Sequence, residues 1–430
     1  MVVSGLRLVN FRSYCDATVR FGPGLNVVVG ENATGKTNLL EAAWFVLRGS
    51  SPRTRRDEKL ITWNERFARV ELTLESEEDA GSHQVDVGFA PGQGKRMRWG
   101  GLEITSLDDL RGRSQVFIFV PESLLLVKGS PARRRAHLDA FAAPLDPQYA
   151  GAARALQGVL RQRNAQLAAV KNGADPAALD PWDQQFARAA TEFGRRRRDL
   201  VDELTAGFAE TAAALAPAGE RFTLRLIAQL ESVDYDEASL LDELRERRPG
   251  EVSRGLSLFG PHRDDLKLLE VGQTTGRSPA SRELGAAAQA APSASAIPTV
   301  SGGPACGPVD LPRGGRDLRL FGSQGEQRAA VLALLLAEQR LAAARTGQQG
   351  PLFLDDVMSE LDDPRRRLLV RMLTTAGQVI ITTTNRHYFT DDELARATVI
   401  ELPLDGSLAA GQAVPPPDDA PPAQPALDAL

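Results

Sequence analysis

Leu25-Asn26-Val27-Val28-Val29-Gly30-Glu31-Asn32-Ala33-Thr34-Gly35-Lys36-Thr37 is the stretch that decides the fold. Its start is a short, nearly all-apolar run, the pattern of a strand buried on both faces. Residues 30–37 satisfy G-x-x-x-x-G-K-[ST] in full, and Asn38-Leu39-Leu40-Glu41-Ala42-Ala43 continues as a helix. Strand, glycine loop and helix start in this order make an anion cradle. The glycines let the backbone wrap a phosphate, and loop N–H groups and the helix N-terminus face its charge. Gly30, Glu31, Asn32, Ala33, Thr34 and Gly35 supply the loop in this reading. Lys36 reaches the β- and γ-phosphates of a nucleotide, and the Thr37 hydroxyl sits on Mg2+.

A second apolar run, Leu352-Phe353-Leu354, ends in Asp355-Asp356. A strand with buried side chains delivers Asp355 to the C-terminal edge of a sheet, where ligands collect in open α/β folds. Asp355 is the expected Mg2+ ligand and Asp356 the candidate for polarising an attacking water. No Asn-Lys-x-Asp run is present to read a guanine base.

Outward from these motifs the chain changes texture several times. Residues 3–120 alternate short β-like runs with turns. From Pro131 to about Pro217 the sequence is rich in Ala, Leu, Arg and Gln and reads as long amphipathic helices, interrupted near Asn172-Gly173 and Pro176. Strand–helix–strand alternation at both ends implies one α/β head assembled from residues 1–130 and 251–404, with residues 131–250 as an inserted, mostly helical lobe. Asp363 is expected to cap the helix that follows Asp355, with Pro364 at its first position. Residues 272–316 lose all periodicity to Ala, Gly, Pro, Ser and Thr. They read as a disordered insertion, and the Pro-rich stretch 405–430 as a disordered tail.

With 430 residues, 42% of them hydrophobic and 25% charged, the chain has the composition of an ordinary globular protein. The longest apolar run, Ala329 to Ala337, is too short to span a bilayer. The N-terminus has no export signal, and two cysteines cannot build a disulfide framework, so a cytoplasmic location is expected. A net charge of −5 gives no global pull toward nucleic acid, so any such contact needs a local basic surface. Arginines cluster at Arg133-Arg134-Arg135, at Arg161 with Arg163, and at Arg195 to Arg198. These stretches read equally as a nucleic-acid face or as solvated helix faces. His262-Arg263-Asp264-Asp265 reads first as a salt-bridged turn.

Phe321-Gly322-Ser323-Gln324-Gly325-Glu326-Gln327-Arg328 precedes a helix and resembles the signature motif of ABC-type ATPases, with Gln324 where a second glycine is commoner. Ser359-Glu360-Leu361-Asp362 resembles their D-loop. The run Leu6-Arg7-Leu8-Val9-Asn10-Phe11-Arg12-Ser13-Tyr14 before the P-loop is similar to the SMC/Rad50/RecN/RecF branch. Three further stretches resemble the RecF family: Pro121-Glu122-Ser123 through Lys128-Gly129-Ser130-Pro131, then Gly260-Pro261-His262-Arg263-Asp264-Asp265-Leu266, and the signature in its Gly-Ser-Gln-Gly form.

The resemblance implies an ABC-type P-loop ATPase head with ATP and Mg2+ as ligands. It implies that Ser323 and Gly325 act in trans, binding the γ-phosphate of ATP held by a second copy, so that a homodimer closes on two nucleotides. It further implies DNA with gaps or single-strand/double-strand junctions as the target, RecR, RecO and RecA as pathway partners, and work in recombinational repair and replication restart. Ser323 also reads as a plain helix cap, since Glu326 completes a capping box. Asp356 stands where the family carries Glu, and Thr382-Thr383-Thr384-Asn385 lacks the usual switch histidine. Both departures point to a weak ATPase used as a switch. Gln115, the nearest glutamine to the expected Q-loop, lies inside a β-like run. The rival readings are an SMC or RecN head, which needs far more heptad sequence, and an ABC transporter ATPase subunit, which needs a membrane partner.

Overall fold

The computed structural model describes residues 1–76, 81–104, 115–216, 220–271 and 315–404. The elements run in chain order as β1 (Val2–Phe11), β2 (Tyr14–Arg20), β3 (Leu25–Val29), α1 (Lys36–Arg48), β4 (Ala68–Ser76), β5 (Gly81–Ala90), β6 (Gly94–Trp99), β7 (Leu102–Ile104) and β8 (Phe117–Phe119). Helices α2 (Leu125–Lys128), α3 (Pro131–Leu145), α4 (Pro147–Lys171) and α5 (Asp180–Leu215) follow, then β9 (Phe222–Ile227), α6 (Glu237–Arg254), β10 (Asp265–Glu270) and β11 (Arg316–Asp317). The last part holds α7 (Leu318–Phe321), α8 (Gln324–Thr346), β12 (Leu352–Leu354), α9 (Asp363–Leu373), β13 (Val379–Thr383), α10 (Asp391–Ala395) and β14 (Thr398–Glu401).

A five-stranded sheet of order β14-β3-β13-β12-β8, parallel throughout, forms the middle layer. Its strands are apolar on both sides because both faces are covered. Val28, Ile118, Phe353 and Ile380 pack against α1 and the antiparallel sheet β2-β1-β4-β5-β6-β7. Their neighbours Val27, Phe119, Leu354 and Ile381 pack the other way, into the core shared with α3, α5 and α8. The alternation follows from the two-residue period of a strand. Asn26, fully buried in β3, is tolerated because its amide donates to the carbonyl oxygens of Gly22, Gly24 and Val379.

The helical stretch does not stand apart from the head. Helix α6 runs through residue 250, where the sequence placed a boundary, and ends at Gly255 in the left-handed region. Strand β9 of the helical stretch pairs with β10 from Asp265↔Ile227 to Glu270↔Phe222. Of the stretch read as an insertion, residues 272–314 lie outside the described residues, whereas Arg316 belongs to β11 and pairs with Glu270. Residues 405–430 also lie outside them. Asp362, one residue earlier than expected, caps α9: its carboxylate accepts from the Arg365 N–H at 2.9 Å.

Two arginines of the helical stretch are buried outright. Arg163 on α4 donates to Asp183 at 2.8 Å, to Glu251 at 2.6 Å and to the Ser257 hydroxyl at 2.6 Å. Arg197 on α5 donates to Asp139 and Asp264 at 2.9 and 3.3 Å, with its guanidinium over the Phe193 ring. Arg134 is nearly as buried and forms a two-pronged pair with Asp265 at 2.7 and 2.9 Å. Planar guanidinium groups suit such buried pairing. The arginine clusters thus send one member each inward to hold helices together. The Pro261–Asp265 turn is salt-bridged as expected, though to Arg197 and Arg134 rather than internally.

Candidate nucleotide site

The parallel sheet brings the two sequence motifs to one edge. Because β3, β13 and β12 run side by side in one direction, the loop after β3 and the carboxylates after β12 emerge together. The Gly30 N–H donates to the Thr383 carbonyl at 3.2 Å, which pins the loop over the end of β13. Gly35 has φ +99, and a Cβ there would meet the Tyr14 hydroxyl at 2.7 Å and the Ser13 hydroxyl at 2.9 Å. Only glycine fits that position. Ala33 is also left-handed, at φ +66. Lys36 folds back across the loop, donating to the carbonyl oxygens of Gly30 and Glu31 at 2.7 Å each. Burial lowers the Lys36 pKa, while Asp356 and Asp355 pull it up.

Thr37 donates its hydroxyl hydrogen to Asp355 Oδ2 at 2.8 Å, across 318 residues of sequence. Thr382, at the end of β13, donates to Asp355 Oδ1 at 2.8 Å and accepts the Asp356 N–H at 3.0 Å. Burial raises the Asp355 carboxyl above the usual range, and the two hydroxyl donors pull it back. A hydroxyl and a carboxylate are the hard oxygen donors that Mg2+ takes alongside phosphate oxygens and water. The residues present therefore fit that ion beside a nucleotide. Among the described residues no group of three or more His, Cys, Asp and Glu side chains could hold a metal by itself.

Asp356 is held at φ +46, uncommon for a residue with a side chain. Its Oδ2 accepts from the Ser359 hydroxyl at 3.0 Å, while its Oδ1 is buried without a hydrogen-bond partner.

Ser323 is the N-cap of α8. Its hydroxyl accepts from the Glu326 N–H at 3.2 Å and its own N–H donates to the Glu326 carboxylate at 2.6 Å, a complete capping box. Ser323 and Gln324 are exposed, so the N-terminus of the 23-residue helix opens to solvent. Gly325 has only the Arg365 guanidinium near where a Cβ would stand, at 3.5 Å. The structure thus brings Lys36, Thr37, Asp355 and Asp356 together, while the hydrogen bonds of Ser323 stay within its own cap. Gln115 lies at the wrong end of the sheet. It precedes β8, and the parallel pairing of β8 with β12 puts the end nearest Asp355 at Val120-Pro121-Glu122 instead.

Several residues of the site escaped sequence reasoning. Thr382 read only as the end of a strand. The turn between β1 and β2 reaches the loop: the Tyr14 hydroxyl donates to the Gly35 carbonyl at 3.1 Å, and Asn38 donates to the Ser13 hydroxyl at 3.0 Å. Glu41, buried on α1 one turn beyond the P-loop, accepts a two-pronged pair from Arg12 at 3.0 and 2.9 Å, plus Arg53 at 3.3 Å and the Ser51 hydroxyl at 2.5 Å. A Glu on the buried face of an apolar helix was the signal available.

A parallel sheet with a P-loop, a facing Asp and an exposed signature-like helix start defines an ABC-type ATPase head. Residues 2–400 match the RecF/RecN/SMC N-terminal domain family. The chain is 34% identical over 375 residues to the DNA replication and repair protein RecF of Halalkalibacterium halodurans, covering 85% of this chain and 88% of that one. The RecF of Geobacillus kaustophilus is 32% identical over 375 residues with the same coverage. The chain belongs to the RecF family of DNA replication and repair proteins. In fold it is similar to a solved recombination mediator protein RecF-ATPrS of the RecFOR pathway (TM-score 0.69, 24% identity, 90% of this chain and 94% of that one). An SMC head bound to the C-winged helix domain of ScpA is more distant, at TM-score 0.51 and 16% identity over 94% of this chain and 95% of that one. Among the described residues no helix is long and apolar enough to cross a membrane.

Proposed function

We propose that the chain is an ATP-dependent DNA-binding switch of recombinational repair and replication restart, with gapped or junction DNA as its target and RecR, RecO and RecA in its pathway. The observation that carries the nucleotide part is the cluster of Lys36, Thr37, Thr382 and Asp355, held by 2.7–2.8 Å hydrogen bonds at the edge of the parallel sheet. Lys36 exchanges its two loop carbonyls for phosphate oxygens, a trade of neutral acceptors for charged ones. Mg2+ supplies positive charge against the phosphate oxygens when bound. The Asp356 carboxylate takes a proton from the water that attacks the γ-phosphorus, as the bond to the bridging oxygen of the departing ADP breaks. Its carboxylate is one methylene shorter than the Glu of the wider family, which favours slow turnover.

The open start of α8 supplies the second half of the reading. An exposed helix N-terminus with a hydroxyl is an anion site. Ser323 and Gly325 serve it in trans, closing two copies around two ATP molecules. The division into a head (residues 1–130 and 251–404) and a helical lobe (131–250) belongs to this proposal, with the pairing of β9 and β10 joining the two. Sedimentation with and without ATP, then with gapped DNA and RecR, tests the whole. A chain that stays monomeric in ATP, or a dimer that ignores gapped DNA, removes the switch.

A further inference from the structure

We propose that residues 53–66 form a contact surface for single-stranded DNA, with Trp63 as a stacking platform and Arg55, Arg56, Lys59 and Arg66 as phosphate contacts. This rests on the reading of the chain as a DNA-binding protein and names the surface that does the binding. In the helical stretch, where arginine is densest, Arg134, Arg163 and Arg197 point inward and are paired, and Arg196 and Arg198 lie against Glu192 and Asp199, which leaves Arg133 and Arg161 exposed. The segment after α1 has the opposite character. Trp63 is 52% exposed, a large ring left in water. Arg55, Arg56, Lys59 and Arg66 are exposed, and none has an acidic partner among the described residues. Of the acids in the segment, Asp57 is engaged by Lys95 at 3.0 Å and Glu65 accepts from the Asn10 amide at 3.2 Å, which leaves the exposed Glu58 as one negative charge among five positive ones (Arg53, Arg55, Arg56, Lys59 and Arg66).

These side chains stand on a fixed frame. Leu60 and Thr62 are buried, the Arg12 N–H donates to the Leu60 carbonyl at 2.7 Å and the Thr62 N–H to the Asn10 carbonyl at 2.8 Å. Within the segment, Lys59 bonds back to Arg56 and Glu65 back to Thr62, at 3.1 and 3.0 Å. An exposed ring among unpaired cations on rigid backbone matches the chemistry of an unstacked nucleotide chain: the base stacks and the phosphates pair. Duplex DNA offers no open base face, which is why the partner is a single strand. The surface also touches the nucleotide site. Arg12 donates to both Glu41 and the Lys59 carbonyl, the latter at 3.0 Å, and Arg53 donates to Glu41 and to Asn38. Glu41 and Asn38 lie on the helix that begins with Lys36 and Thr37.

The test is fluorescence anisotropy of a labelled oligothymidine and a blunt duplex, with the full chain in ATP. Wild type is compared with Trp63→Ala, Trp63→Phe, the double reversal Arg55→Glu/Arg56→Glu, and Arg161→Glu as a control on the helical stretch. All are exposed positions, and a melting curve verifies each fold. Trp63→Ala should weaken single-strand binding roughly tenfold with less effect on the duplex, and Trp63→Phe should restore most of it. The double reversal should also flatten the salt dependence by about 1.4 log units per log unit of salt, since two arginines no longer neutralise phosphates. Equal single-strand affinity for all variants overturns the proposal. So does a loss of ATP-dependent dimerisation with single-strand affinity intact, which would assign the surface to a second copy. If wild type binds and the variants match it, only this surface falls. If wild type binds neither DNA, the DNA-binding reading falls with it.

Discussion

Lys36 shows how much one side chain carries. In the structure its ammonium rests on two loop carbonyls, and in the proposed function a triphosphate takes their place. Lys36→Ala should weaken ATP binding by about 2–3 kcal/mol, close to a hundredfold, measured by equilibrium binding of labelled ATP. Unchanged affinity would remove the site assignment. Asp356 makes a separate prediction. Asp356→Asn keeps the shape and leaves Asp355 in place, so ATP should bind normally while single-turnover hydrolysis falls by about 10²–10⁴-fold. A variant that hydrolyses ATP at the wild-type rate would exclude Asp356 as the proton acceptor. The motifs behind these assignments were readable from the sequence because glycine spacing and a strand ending in Asp are local patterns. Thr382 was not, since its role depends on which strand lies beside β12, and residue order does not state that.

At the scale of elements, helix α8 is the informative case. Its capping box was visible in Ser323 and Glu326, and the structure forms both bonds. What a cap alone does not decide is whether the helix start also serves a second copy. Ser323→Arg should leave ATP binding by the monomer intact and block ATP-induced dimerisation, read by sedimentation. Lost binding in the monomer would place Ser323 in its own chain's site.

Helix α8 also meets α3 through a side-chain pair: His137 Nε2 lies 2.8 Å from the carboxylate of buried Glu338. Burial opposes the charge on His137, but Glu338 outweighs it and the net shift is upward from 6.5. A raised folded-state pKa means that this pair's stabilisation is fully present below pH 6.5 and is lost as pH rises through the folded value. The melting temperature of wild type should therefore fall, relative to His137→Gln, as pH increases above 6.5; parallel curves would deny the pair a role.

For the whole molecule, the buried ion pairs replace the picture of a basic lobe. Arg163 is fully buried and bridges α4, α5 and α6 through Asp183 and Glu251. Arg163→Met leaves Glu251 buried without its ion-pair partner and Asp183 with Arg248 alone, and should cost about 3 kcal/mol in denaturant unfolding. The folded fraction should bind DNA as wild type does; a stable variant with weakened binding would return Arg163 to the DNA surface. The sequence by itself determined the strands of the middle sheet, the P-loop, the apolar strand that ends in Asp355-Asp356 and the helix start at Ser323. Each depends on periodicity, glycine conformation or capping within a few residues of chain. Tertiary structure alone decided the rest. It turned Arg134, Arg163 and Arg197 inward, joined β9 to β10 across the expected boundary at residue 250, and set Arg12 and Arg53 on Glu41. The physical reason is that each is a contact between residues apart in sequence. A charge run reads the same whether solvated or paired, the acids that pair these arginines lie 12 to 131 residues away, and residue order does not state which strand lies beside β9.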